Sequence, residues 1–174
     1  MVAARARLPM IARLIEYDRR AFVSFERGLA RRGWPEAVRD RGIGHGSYKD
    51  TLVHILNVHE AWFVAIIQGR WEIFDDPARR PRNIRSWSDL RRYRSKVWRG
   101  IDEFLAHATE SELRRRVRAP WMPGRYTVED GVFQASFEQA HHLGEIIGAC
   151  WRSGRAPPQM MWLPMLLGTR VSVR

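Results

Sequence analysis

One cysteine, Cys150, stands in 174 residues, so the chain closes no intramolecular disulfide and is not a small scaffold held together by several. Only Lys49 and Lys96 are lysines; the rest of the 30 basic residues are arginine. No apolar run reaches the roughly 18 residues a membrane helix requires, and runs such as Trp62-Phe63-Val64-Ala65-Ile66-Ile67 stop well short of it. Gly42, Gly44 and Gly46 alternate, but they lack the Gly-x-Gly-x-x-Gly spacing and the preceding strand of a phosphate-binding loop. No internal repeat or low-complexity tract is present.

Near the N-terminus Pro9, Arg13, Glu16 and Asp18 interrupt anything resembling the apolar core of a signal peptide. With the lone cysteine, this leads us to expect a cytoplasmic protein that does not cross a bilayer. Cys150 lies in the apolar stretch Ile146-Ile147-Gly148-Ala149-Cys150-Trp151 and reads as a packed core thiol rather than a nucleophile.

The formal charge of +11 raises nucleic acid as a partner, because basic surfaces gain affinity by releasing counterions from phosphate. The arginines are scattered, however, among them 5, 7, 13, 19 and 20, 79, 80 and 82, and 114, 115 and 116, with no single stripe. Nucleic acid is therefore disfavoured. The expected partners are a small-molecule substrate and, from the resemblance drawn below, a second copy of the chain.

What is abundant is apolar bulk: 45% hydrophobic residues, with eight Trp and seven Phe, too much for a disordered chain. The length suits one domain over 1–174. Helical periodicity predicts a first helix from about Met10 to Arg32, ended by Gly33 and Pro35, and then a loop over 33–46. A second helix starts at Ser47, where Asp50 three residues on predicts a capping-box-like exchange with the backbone amides, and runs to about Gln68. Asp75 to Arg85 reads as a loop. A third helix begins near Ser86 or Ser88, carrying Leu90, Tyr93, Val97, Trp98, Ile101, Phe104 and Leu105 on one stripe. Residues 112–126 read as a short hairpin or an extended crossover, and a fourth helix from Thr127 reaches about Trp151. Met160 to Leu167 suggest a short final helix. The sum is an all-α four-helix bundle with one long connection between the third and fourth helices.

Two features carry chemistry. Glu138 and His142, four apart on a helix, share one face about one turn apart. That spacing serves a metal, and equally a solvent-exposed Glu–His pair. His54 sits among aliphatics in Leu52-Val53-His54-Ile55-Leu56, where burying an imidazole is costly unless something polar or metallic faces it. His59, five residues on, lies about 140° around the helix and reads as structural, and His141 is likewise offset from His142. His45 and His107 read as solvated, in a loop and near a helix end.

These residues also carry a family resemblance. Ser47-Tyr48-Lys49-Asp50-Thr51-Leu52-Val53-His54-Ile55-Leu56, followed by Glu60-Ala61-Trp62, resembles the DinB/YfiT-type helix that bears the first metal-binding histidine. His141-His142-Leu143-Gly144-Glu145-Ile146 resembles that family's His-His-Arg-Gly-Gln-Ile signature, and Trp151-Arg152-Ser153-Gly154-Arg155-Ala156-Pro157-Pro158 the turn after its last long helix. The resemblance spans about residues 10 to 163. It implies a four-helix bundle, often dimeric, with a divalent metal held by His54, Glu138 and His142. The family usually has His at the position of Glu138, although its mycothiol-dependent maleylpyruvate isomerase branch also uses a His, Glu, His set. Leu143 replaces the usual Arg, and Gln134 stands where many members have another His. Two imidazoles and a carboxylate suit zinc, nickel or ferrous iron. The implied activity is a thiol-dependent S-transferase, using a low-molecular-weight thiol as in the bacillithiol S-transferase-like relatives, or a hydrolase. The alternative is a non-catalytic, stress-associated or interaction bundle with a structural or vestigial metal.

Overall fold

Ile11, Ile15, Phe22, Phe25 and Leu29 recur near helical spacing, and in the computed structural model, which describes residues 7–162, they form the buried face of helix α1 (Arg7–Ala30). Pro9 falls inside the first turn, where no helical amide is lost, so α1 begins about a turn before the expected Met10.

The stretch over 33–46 is not the irregular loop expected. Pro35 opens a short helix α2 (Trp34–Val38), after which β1 (Asp40–Ile43) pairs antiparallel with β2 (Gly46–Ser47). Gly42 and Gly46 have φ of 60° and 79°, a conformation in which a side chain is strained, and their alternation marks this hairpin. Asp40 Oδ1 accepts the Gly42 amide at 2.9 Å and steadies the bend.

Helix α3 (Tyr48–Glu60) is capped by Ser47, whose Oγ accepts the Asp50 amide at 3.0 Å. The reciprocal half differs from expectation: the Ser47 amide donates to the His45 carbonyl at 3.0 Å, and Asp50 Oδ2 accepts the Ser47 hydroxyl at 2.6 Å instead. The cap thus ties the hairpin turn to the helix. Past Glu60 the helix widens without a break into π-helical turns over Ala61–Ile67, and Gly69, with φ 75°, follows its end. By length and composition Tyr48–Ile67 is apolar enough to cross a membrane, which the short apolar runs did not anticipate because Thr51, His54, Asn57, His59 and Glu60 interrupt them. Its surroundings are protein, with 78% of the apolar window buried inside the bundle.

The Asp75–Arg85 region is built from 3₁₀ turns, Trp71–Asp75, Pro77–Arg79 and Pro81–Asn83, two of them opened by proline. Ser86 caps α4 (Trp87–His107), accepting the Asp89 amide at 3.1 Å. The long connection holds a short helix α5 (Glu110–Arg114) and the hairpin β3 (Arg116–Val117) with β4 (Tyr126–Thr127), the first of the two alternatives for this segment. Thr127 and Asp130 form a true capping box at the start of α6 (Val128–Arg152). The expected final helix over Met160–Leu167 lies mostly outside the described residues.

The fold is an all-α four-helix bundle. Helix α3 lies against both α4 and α6, and α6 against α1. The remaining side, α1 against α4, is joined by ion pairs of Arg19 with Asp102 and of buried Glu26 with Arg91 and Arg94. Close approach is decisive at two glycines. A Cβ on Gly131 would stand 2.6 Å from the Trp62 ring, and one on Gly100 would stand 2.5 Å from Val64. These contacts seat the π-helical end of α3 flush on α6 and α4.

Candidate metal centre

His54 points from the middle of α3 toward α6, where His142 projects from the facing turn. Their ring centroids are 4.6 Å apart and their planes nearly perpendicular, at 83°. One turn earlier on α6, Glu138 brings Oε2 to 3.3 Å from His142 Nε2. His142 thus stands beside His54 across the α3–α6 seam and beside Glu138 on its own helix.

A fourth residue arrives that the sequence reading placed in solvent. His45, in the β1–β2 turn, is half-buried and stacks on His54 with centroids 3.8 Å apart and planes 22° apart. The β1–β2 hairpin packs against α6, which carries the turn over both histidines. Glycine alternation announced the turn, but nothing local in the sequence says which helix the turn covers.

The donor atoms of His45, His54 and His142 all lie within 4.8 Å of one another. Nearness alone does not make a coordination set. An imidazole ligates through a lone pair in its ring plane, and two rings stacked nearly parallel aim their lone pairs side by side rather than at a common point. His54 and His142, crossed at 83°, can converge on one point. The spacing of Glu138 from His142 also fits a metal, since two atoms each about 2.1 Å from a tetrahedral zinc stand about 3.4 Å apart. Among the described residues, two sets of donors lie close enough to hold a cation, His45, His54 and His142 on one side and His141, His142 and Glu145 on the other, and Glu138 approaches them through His142.

The supporting contacts orient these donors. Glu145 Oε2 lies 2.8 Å from His142 Nδ1, so a proton held there leaves the Nε2 lone pair facing Glu138 and the centre. Glu145 needs Gly44: any Cβ at that position would meet its carboxylate at 2.7 Å. Glu138 Oε1 in turn accepts from Gln134 Nε2 at 3.0 Å. The sequence reading gave Glu145 no role; its place three residues after His142, on the same face, was the available signal.

Burial keeps the His54 and His45 imidazoles neutral. Burial, reinforced by repulsion from His45 and His142, pushes the His54 pKa down to about 4. Burial also lowers His45, again with help from His142. Burial raises Glu145, but the hydrogen bond with His142 and the neighbouring histidines outweigh it and hold the carboxyl below its ordinary range. A neutral imidazole is the form that can ligate a cation, which is the state burial favours for His54 and His45.

Of the other histidines, His141 also adjoins the centre: its ring centroid lies 4.8 Å from that of His142, and one donor atom each from His141, His142 and Glu145 lie within 4.8 Å of one another. His59 faces α1, with Nδ1 3.0 Å from the Ile55 carbonyl and Nε2 3.8 Å from buried Asp18. His141 is exposed, 3.7 Å from Glu145, and His107 is exposed at the end of α4. Cys150 is fully buried, but its surroundings are less apolar than expected: Arg32 Nη1 approaches Sγ at 3.2 Å and the Tyr48 hydroxyl at 3.7 Å.

A cavity of about 490 Å³ opens beside the centre, lined from α3 by His54 and Trp62, from α6 by Gln134 and Glu138, and from the two connecting segments by Phe74 and Trp121. The arrangement can hold a cation at one end of a pocket and an apolar molecule in the rest. A family model described as the DinB superfamily matches residues 35–146. No curated protein matches the chain.

Proposed function

The chain belongs to the DinB superfamily, whose members typically bind a metal, and on that premise we propose that it is a metal-dependent, thiol-using S-transferase. Its divalent ion, zinc, nickel or ferrous iron, is held by His54, Glu138 and His142. The observation that carries the reading is the crossed His54 and His142 pair, with Glu138 3.3 Å from His142, at one end of an apolar pocket. A divalent ion there lowers the pKa of a thiol or water that takes an open coordination position. The chain's own residues do the rest. Glu145 fixes the tautomer of His142, Gln134 orients Glu138, and His45 shields His54 from bulk water.

In the reaction, the thiol gives up its S–H proton to solvent and its sulfur attacks an electrophilic carbon of a molecule in the pocket. A carbon–sulfur bond forms as the bond to the leaving group breaks, and that group departs with the electron pair. With water in place of the thiol, the same site is a hydrolase.

The test is consumption of a low-molecular-weight thiol in the presence of a panel of electrophiles, using chelated protein and protein reloaded with zinc, nickel or ferrous iron. Turnover that returns with metal and vanishes in His142→Ala supports the reading. A large drop in melting temperature on chelation, with no turnover under any metal, would make the metal structural instead.

A further inference from the structure

The pocket beside the centre is more specific than an apolar hollow, because aromatic rings form two of its sides. Trp62, seated against Gly131, presents its ring from α3. The same cavity is lined by Phe74, from the 3₁₀ segment, and Trp121, from the connection between α5 and α6. Phe74 and Trp121 meet edge to face at 6.2 Å, and Trp71 stacks on Phe74 at 6.0 Å. All three remain markedly exposed, Trp121 at 53%. Phe74 and Trp121, left in water where they line the opening, forgo burial worth on the order of 1 kcal/mol or more each, an arrangement expected where a ligand completes the packing.

This wall is built rather than floppy. Arg79 lies over the Phe74 ring at 4.7 Å and is itself held by Glu60, a carboxylate only 1% exposed, at 2.5 Å. Glu60 also takes the Tyr93 hydroxyl at 2.8 Å and Lys96 at 3.0 Å, which anchors the loop carrying Phe74 to α3 and α4. The polar lining of the pocket is His54, Gln134 and Glu138 at the centre together with Asn57 and Arg79, the latter already engaged by Glu60, while Trp121 and Met122 lie on the connecting segment. The volume of about 490 Å³ falls within the range of small-molecule sites.

We propose that this pocket binds a small, flat aromatic molecule between Trp62 and the Phe74–Trp121 pair, with its polar end toward His54 and Glu138. It is the co-substrate class of the centre described above, and the inference rests on that reading for its role though not for the binding itself. The probe is 2-naphthol, with 1-adamantanol as an apolar alcohol of comparable bulk that cannot stack. Binding is measured by equilibrium dialysis on the full chain, both chelated and zinc-loaded, with metal content determined on the same samples.

The expected result is saturable 2-naphthol binding in both states, tighter than that of 1-adamantanol, and weakened about threefold to tenfold in Trp121→Ala and in Phe74→Ala, the range one aromatic contact supplies. Circular dichroism and metal content should match the parent in both variants. Equal affinity for the two alcohols, or undiminished 2-naphthol binding in both variants, overturns the proposal. Failure of the metal reading looks different: no bound zinc, with 2-naphthol binding and its dependence on Trp121 intact.

Discussion

At the scale of single residues, His54 is a group whose protonation its surroundings control. Its pKa of about 4 in the folded chain lies below the ordinary 6.5, so between these values the unfolded state binds the extra proton and stability rises with pH. In chelated protein the melting temperature should be level above about pH 6.5, fall as pH drops toward 4, and fall less steeply in His54→Gln. A profile unchanged by that substitution would mean the imidazole is not held neutral. Gly44 offers a second residue-scale test. An alanine there forces the Glu145 carboxylate aside, and loss of such an outer contact typically costs about tenfold to a hundredfold in metal affinity. Competition against a chromogenic chelator would read that loss, while equal affinity in Gly44→Ala would remove Glu145 from the account.

The elements show how far sequence reasoning carried, and why it stopped. The helices α1, α3, α4 and α6 were legible because each has an apolar stripe at helical spacing and three of them begin with a Ser or Thr cap followed three residues later by Asp. That His54 and His142 face each other was legible for a related reason, since family resemblance and helical spacing put them on facing turns, while the role of Glu138 as a ligand stays a proposal. The hairpin at 40–47 was missed because its two short strands carry glycine and polar residues rather than an alternating apolar pattern. His45 was misjudged with it, since its burial comes wholly from the helices the turn lies on. The π-helical widening over Ala61–Ile67 left no mark in the sequence, whose apolar run reads the same at either pitch. The capping boxes make an element-scale prediction. Thr127→Ala removes the acceptor for the Asp130 amide and should cost about 0.5–2 kcal/mol in chemical denaturation. Gly131→Ala drives a methyl toward Trp62 and should cost about 1–3 kcal/mol, as overpacking does, while also narrowing the pocket.

For the whole molecule, the account joins a bundle of superfamily type to one end of a pocket where a cation and an aromatic molecule meet. Several of its arginines hold elements together, as Arg79 does with Glu60 and Arg91 and Arg94 do with Glu26. A homodimer is a further proposal, and sedimentation equilibrium should return twice the mass of the chain. The central claim is the ligand set, and metal content per chain tests it most directly, measured by elemental mass spectrometry on untagged protein and on His54→Ala, Glu138→Ala, His142→Ala and His45→Ala. The account predicts close to one equivalent in the parent and in His45→Ala, and loss in the other three. Metal retained in Glu138→Ala but lost in His45→Ala would contradict it, giving the site to three histidines instead.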